Sequence, residues 1–170
     1  MGRNAIGVDI NSEAVKLSNK NLNFTCQEKS KIFIKQGNAN NLSFIKDESI
    51  DLICTHPPYA DIIWYSKEIP GDISHLKYDD FLKELEQVAK ESYRVLKKQR
   101  ICAFMIGDIR RKGYVLPLGM NSMQKFVDAG FKLKEIIIKE QHNCKTTEYW
   151  DNIEKTFLML AHEYIFVLEK

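Results

Sequence analysis

From Ile50 the chain reads Ile-Asp-Leu-Ile-Cys-Thr-His-Pro-Pro-Tyr-Ala-Asp, and the paired prolines decide what this stretch can become. Proline fixes its own φ, donates no backbone N–H and pushes the preceding residue towards extended geometry. His56 to Pro58 can therefore continue neither a helix nor a central ladder. The pattern predicts a strand over Ile50 to Thr55 that runs into a rigid turn and leaves carbonyl acceptors pointing outward, beside the flat ring of Tyr59. Fixed acceptors next to an aromatic face suit a planar substrate whose exocyclic amine is held while its ring is stacked.

The remainder alternates strand and helix signals. Ala5 to Ile10 is a short apolar strand, and Ser12 is placed to cap a helix carrying Ala14, Val15, Leu17 and Leu22. Lys31 to Lys35 alternates as a strand before Gly37-Asn38. Ala60 to Tyr78 has no sustained period and predicts a loop with short helical pieces. Asp79 or Asp80 then caps an amphipathic helix built on Phe81, Leu82, Leu85, Val88, Ala89, Tyr93 and Leu96, with Lys97 and Lys98 at its negative end. Ile101 to Ile106 is nearly all apolar, the signature of a strand covered on both faces, and stops at Gly107-Asp108. A helix over Asn121 to Ala129 closes at Gly130, strands follow over Phe131 to Ile138 and Tyr164 to Leu168, and Gln141 to Phe157 is polar and irregular. This order predicts one α/β domain with a doubly wound, mostly parallel sheet that gathers ligands at the carboxyl ends of its strands. Asp9, Asn38, Thr55 to Tyr59 and Asp108 all fall at such ends.

Composition removes several classes of function. With 25 Lys plus Arg against 23 Asp plus Glu, the net charge of +2 gives no general attraction for nucleic acid, so any such contact needs a local patch. The run Arg110-Arg111-Lys112 is either a charged loop or a phosphate-contacting one, and Trp64 and Tyr65 either pack their loop or stack on nucleotides. Cys26, Cys54, Cys102 and Cys144 lack paired spacing, and Cys54 and Cys102 lie inside apolar strand patterns, which predicts reduced, buried thiols. His142 and Cys144 have no matching second pair, so no metal site is assigned, and His162-Glu163 reads as structural. No apolar run is long enough to span a bilayer and no signal peptide is evident, which predicts a soluble, cytoplasmic protein.

Thr55-His56-Pro57-Pro58-Tyr59 resembles the catalytic motif of the AdoMet-dependent methyltransferases of exocyclic amines in DNA, written Asp/Asn/Ser-Pro-Pro-Tyr/Phe, and matches it except at the first position, where His56 stands. Arg94-Val95-Leu96-Lys97 and the closing His162 to Val167 are similar to later segments of that family. Nearly the whole chain resembles its Rossmann-like class I fold from the second strand to the seventh. The resemblance implies S-adenosyl-L-methionine as cofactor and DNA as partner, with RNA as the nearest variant. It implies a flipped base stacked on Tyr59, its amine held by the Pro57 carbonyl and the His56 side chain, with Pro58 completing the catalytic motif. Asp9 would bind the ribose hydroxyls, Ile10 would lie against the adenine, and Asn38, with Ala39 beside it and Thr55 at the strand end, would complete the cofactor site. Trp64, Tyr65, Arg110, Arg111 and Lys112 would contact the nucleic acid. The Thr-His-Pro-Pro-Tyr form is nearer to the cytosine-N4 pattern than to the adenine-N6 one. Read from the residues alone, Asp9 is equally a helix-cap or loop acid, Asn38 a turn residue, and Asp108 either solvated or near the base.

The family's first strand and glycine-rich loop have no counterpart, since none of the eight glycines lies two residues from another. That leads to the expectation that the sequence is a fragment or that a partner chain or second copy supplies the missing strand. A non-catalytic remnant that binds nucleic acid or a partner is the alternative to an enzyme.

Overall fold

The computed structural model describes residues 2–22, 30–66, 69–141 and 157–170. Cys26, His142, Cys144 and most of the irregular stretch from Gln141 to Phe157 lie outside the described residues.

β1 (Ala5–Asp9) and β2 (Ile32–Gln36) form a parallel pair bridged by α1 (Ser12–Asn21). Asn11, rather than Ser12, caps that helix: it holds extended geometry while its side chain accepts from the Glu13 N–H at 2.9 Å. β3 (Ile50–Thr55) then pairs in parallel with β4 (Leu96–Ile106), and the order of this second sheet is β3-β4-β8-β7, with β7 at Lys132–Glu140 and β8 at His162–Glu169. β8 is antiparallel to both neighbours, so β7 runs in the direction of β4. The Rossmann-like α/β architecture is thus borne out, with one reversed strand.

α2 (Tyr78–Val95), with Lys77 at its N-cap position, begins at least two residues earlier than expected, so Asp79 and Asp80 lie in its first turn instead of capping it; there they still favour the positive end of the helix dipole. The chain passes straight from Val95 into β4, so Lys97 and Lys98 belong to the strand, and Lys97 pairs with Asp51 at 2.9 Å. α3 (Leu118–Asp128) packs against α2, and both contact β4. Along β4, Cys102, Phe104 and Ile106 are fully buried under the helices, while Ile101, Ala103 and Met105 are only half-buried. Cover on both faces is therefore not seen among the described residues. Phe104 is the centre of the core, stacked on Phe126 at 4.6 Å and Phe166 at 6.0 Å between centroids. Cys102 is buried as expected, and burial pushes its thiol up to about 12. Cys54, on the strand whose second edge is unpaired, is exposed, contrary to expectation.

The basic run is not a plain loop. It forms a hairpin of β5 (Ile109–Arg111) and β6 (Tyr114–Leu116), whose two turn residues, Lys112 and Gly113, both have positive φ. That is the backbone of a two-residue type I′ turn, which favours glycine at one of its centres.

β1 pairs only with β2, and β3 only with β4, among the described residues. Val8 of β1 and Ile50 and Ile53 of β3 nevertheless pack on one small cluster, Leu42, Ile45 and Val95. Polar contacts reinforce it. Arg94 donates to the carbonyls of Leu42 (2.9 Å) and Ile45 (3.0 Å) and pairs with Glu91 and Asp47, while Glu91 accepts from the Leu42 N–H at 2.6 Å. The Arg94 hydrogen bond holds the Glu91 carboxyl below its usual range.

Arg94→Ala should cost about 2–3 kcal/mol in urea unfolding, because it strands two carbonyls and a carboxylate at once, and Arg94→Lys should recover little of it, lacking the planar fork. Since the Glu91 carboxyl is depressed, its contribution is present above the ordinary value of 4.5 and lost as pH falls through the folded value. Acid destabilisation below that point should be shallower in Arg94→Ala than in the unmodified chain.

Candidate active site

β3 carries Thr55 to the sheet edge, where it pairs with Phe104. His56, Pro57, Pro58 and Tyr59 follow in irregular backbone, and a 3₁₀ turn over Ala60–Ile62 begins immediately. Ala60 is completely buried with φ +48, a left-handed conformation that costs a non-glycine residue about 1 kcal/mol. The turn directs Tyr59 towards the ends of β4 and β8: a side chain at Gly107 would sit 3.7 Å from the Tyr59 ring and 3.5 Å from Glu163.

Because β8 is reversed, its first residues arrive at the same edge as the last residues of β3 and β4. Glu163 is only 5% exposed, accepts a hydrogen bond from the Tyr59 hydroxyl through Oε1 and pairs through Oε2 with Lys139 of β7. Burial pushes the Glu163 carboxyl up, but the Lys139 and Tyr59 hydrogen bonds outweigh it and hold it below the usual range. Burial and the same hydrogen bond push the Tyr59 hydroxyl well above its ordinary value. His56 stands edge-on to Tyr59 at 5.6 Å, with Nε2 3.1 Å from the Tyr59 hydroxyl and 3.9 Å from Glu163.

Tyr59 and Glu163 border a cavity of 390 Å³, enough for a nucleobase, lined also by Gly107, Asp108, Arg110 and His162 among others. Asp108 is engaged on both oxygens, accepting from the Gly119 N–H at 2.8 Å and from the Tyr164 hydroxyl at 3.1 Å. It caps the start of α3 from outside the helix.

The other sequence-derived residues divide between the edge and its surroundings. Asp9 is exposed at the end of β1, with Oδ1 accepting from the Asn11 N–H at 2.7 Å. Asn38 accepts from the Asn40 N–H at 3.0 Å in a turn that includes Ala39, and donates to the Gly71 carbonyl at 3.4 Å. Ile10 lies against the same glycine: a Cβ there would be 3.3 Å from its Cδ1. The segment after the proline turn thus bridges the two halves of the edge, helped by Asn11 Nδ2 on the Tyr65 carbonyl at 3.5 Å. Trp64 packs on His75 at 4.9 Å yet is 67% exposed, and Tyr65 is exposed. Arg110 donates to the Gly113 and Leu158 carbonyls and lies over the Phe157 ring at 4.3 Å, and Arg111 pairs with Asp61. Lys112 stands at the hairpin tip and, among the described residues, has no such partner.

Sequence reasoning missed Glu163 and Lys139 as members of this site. The available signal was an acid opening an apolar strand, which a surface role does not explain. No group of three or more His, Cys, Asp or Glu side chains placed to hold a metal occurs among the described residues. No helix among them is long and apolar enough to cross a membrane.

Residues 50–170 match the family model of the N6/N4 DNA methylases, and the chain belongs to that family. The type II methyltransferase M.MjaVI of Methanocaldococcus jannaschii is 29% identical over 130 residues, which cover 74% of this chain and 64% of that protein. A Thermus thermophilus protein assigned as a DNA modification methylase, crystallised with S-adenosyl-L-methionine, is 25% identical over 79% of this chain and 51% of its own, with a TM-score of 0.57. The PvuII DNA methyltransferase, cytosine-N4-specific, shares the fold at a TM-score of 0.62 and 20% identity, over 78% of this chain and 47% of its own. The chain thus spans less than two thirds of each of these proteins.

Asp108→Ala should cost about 1–2 kcal/mol by removing the cap of α3, whereas Asp108→Asn, which keeps an acceptor for Gly119, should cost less; thermal unfolding of the two variants tests whether Asp108 is primarily a helix cap.

Proposed function

We propose that this chain is the catalytic part of an S-adenosyl-L-methionine-dependent methyltransferase acting on the exocyclic amine of a DNA base, cytosine N4 in preference to adenine N6. The observation that carries this reading is the proline turn itself, delivering a Tyr59 ring with a pinned hydroxyl to the wall of a base-sized cavity. An exocyclic amine is a poor nucleophile because its lone pair is delocalised into the ring. Acceptors that draw the nitrogen towards tetrahedral geometry lower that barrier. The Pro57 carbonyl and a neutral ring nitrogen of His56 are those acceptors, Pro58 keeps the turn rigid, and Tyr59 is the stacking platform for a base taken out of the duplex. The cytosine preference rests on the motif, which is nearer Thr-Ser-Pro-Pro-Tyr than the Asp form. An RNA base would present the same amine, so duplex and single-stranded RNA belong in the same assay.

The residues at the β1–β2 end fit the nucleoside half of the cofactor. Asp9 keeps Oδ2 for a ribose hydroxyl, Ile10 offers an apolar contact, and the Asn38 side-chain oxygen, already accepting from Asn40, has a second lone pair for the adenine amine. When bound, S-adenosyl-L-methionine supplies an electrophilic methyl group on a sulfonium. Thr55 closes the strand between this end and the base cavity. Trp64, Tyr65 and Lys112 are the exposed candidates for nucleic-acid contact; Arg110 and Arg111 act by fixing the hairpin and its neighbours.

A second reading follows from the divided sheet. The unpaired edges of β1 and β3, meeting at one apolar cluster, fit a parallel strand from outside the described residues that would carry the loop for the methionine half of the cofactor. Without that strand the chain would bind nucleic acid or its partner and transfer no methyl group.

Titration calorimetry of S-adenosyl-L-methionine into the chain should show saturable binding that Asp9→Ala abolishes, and transfer of labelled methyl to cytosine-containing duplexes should fall about 100-fold or more in Tyr59→Ala. Absence of binding at millimolar cofactor, restored when a segment with a strand and a glycine-rich loop is supplied, would favour the second reading; absence in both cases rejects the enzyme. Lys112→Ala should weaken duplex binding without sequence preference and reduce the slope of log K against log salt by about 0.9, measured by fluorescence anisotropy between low and moderate salt.

A further inference from the structure

Three hydrogen bonds in the site form a chain whose direction is set at one end. Glu163 is nearly inaccessible to water and paired with Lys139 through Oε2, so it is held as a carboxylate and can only accept. The single proton of the Tyr59 hydroxyl is therefore donated to Glu163 Oε1. That leaves the Tyr59 oxygen as an acceptor towards Nε2 of His56, 3.1 Å away. A neutral imidazole that meets an acceptor at Nε2 carries its proton there, and its Nδ1 is then bare.

We propose that Glu163 is a positioning residue which, acting through the Tyr59 hydroxyl, holds His56 as its Nε2–H tautomer and leaves Nδ1 as the acceptor for a nucleobase amine. The tautomer stands on the geometry; only the identity of the amine rests on the proposed function. The opposite tautomer would present an N–H at Nδ1, a donor facing a donor, and the acceptor that the chemistry needs would be gone. The arrangement also explains why a histidine serves at a position where the family motif has a side chain with an invariant oxygen acceptor. Imidazole is an acceptor at a defined atom only if something else decides where its proton sits, and here that something is an ionised acid two hydrogen bonds away.

Glu163→Gln is the informative substitution. Lys139 needs an acceptor, so the glutamine oxygen turns to it and the amide N–H₂ turns to Tyr59. Tyr59 then accepts instead of donating, its own proton swings to His56 Nε2, and the imidazole proton moves to Nδ1. The two hydrogen bonds that link residue 163, Tyr59 and His56 reverse, while Lys139 goes on donating and every contact is kept. Tyr59→Phe removes the relay and retains the ring.

The experiment is nitrogen NMR of the full chain labelled at its imidazole nitrogens, at about pH 8.5 where imidazole is neutral, with His56→Gln used to assign the His56 signals among the four histidines. The unmodified chain should show Nε2 as the protonated nitrogen, Glu163→Gln should show the signal transferred to Nδ1, and Tyr59→Phe should show a mixture. An Nδ1–H tautomer in the unmodified chain, or an unchanged tautomer in Glu163→Gln, overturns the proposal. Should Glu163→Gln fail to fold, an unchanged Nε2–H signal in Tyr59→Phe overturns it equally. Because none of these readings needs methyl transfer, a chain with the expected tautomers and no transfer activity would reject the proposed function and leave this inference standing.

Discussion

A carboxylate shut away from water must be ionised and fully partnered or give up its charge, and at Glu163 the structure takes the first course. Meeting that requirement draws in four separate parts of the chain. Lys139 comes from β7, Tyr59 from the turn after β3, Gly107 provides space at the end of β4, and Glu163 itself opens β8. None of these is near another in sequence, so the site exists only when the order β3-β4-β8-β7 is complete. The reversal of β8 is what makes this possible. A parallel strand at that place would bring its last residue to the edge, and the acid would lie at the far side of the sheet.

The two halves of the edge are held by different forces. The half around Tyr59 rests on an aromatic core around Phe104 under α2 and α3, where burial of large apolar surface dominates. The other half, β1 and β2 with α1, buries no residue of its helix and, among the described residues, is joined to the rest by a small apolar cluster and a set of hydrogen bonds from Asn11, Asn38, Asn40, Leu42 and Arg94. Individual bonds of this kind contribute about 1 kcal/mol each. The β1–β2 unit therefore belongs to the low end of local stability, and its position relative to the cavity beside Tyr59 is the geometric quantity most open to change when a ligand or strand joins it.

Most of this architecture was legible because periodicity and punctuation agreed. The strands at Ile50 to Thr55 and Ile101 to Ile106 and the apolar face of α2 carry strong patterns, and Gly130, with φ +113, closes α3 as its sequence position implied. The misses have local physical causes. Asn11 outcompeted Ser12 as a cap because the chain was still extended one residue earlier, and Lys97 and Lys98 continue into β4 because Leu96 is needed in the core. The hairpin at 109–116 was hidden by its charge, since Arg110 and Arg111 are held by carbonyls and by Asp61 instead of by solvent. Glu163 and Lys139 were hidden for a deeper reason: an acid opening an apolar strand marks Glu163 but names no partner, and only the register Lys139↔Glu163 makes them a pair.

The turn at Thr55 to Ala60 is determined several times over, and this bears on what Tyr59 can do. Pro57 and Pro58 fix two φ angles, the Tyr59 carbonyl accepts from the Ile62 N–H at 3.3 Å, and Ala60 is kept in a left-handed conformation by complete burial. At the other end the hydroxyl is tied to Glu163. A ring anchored at both its backbone and its tip has little rotamer freedom left to lose to any ligand, so the entropic cost of ordering it is met during folding and not at binding. The same two anchors set where the ring's edge meets His56. Position of the aromatic face and placement of the imidazole proton are therefore two consequences of one hydrogen-bonded chain, and a change at Glu163 acts on both.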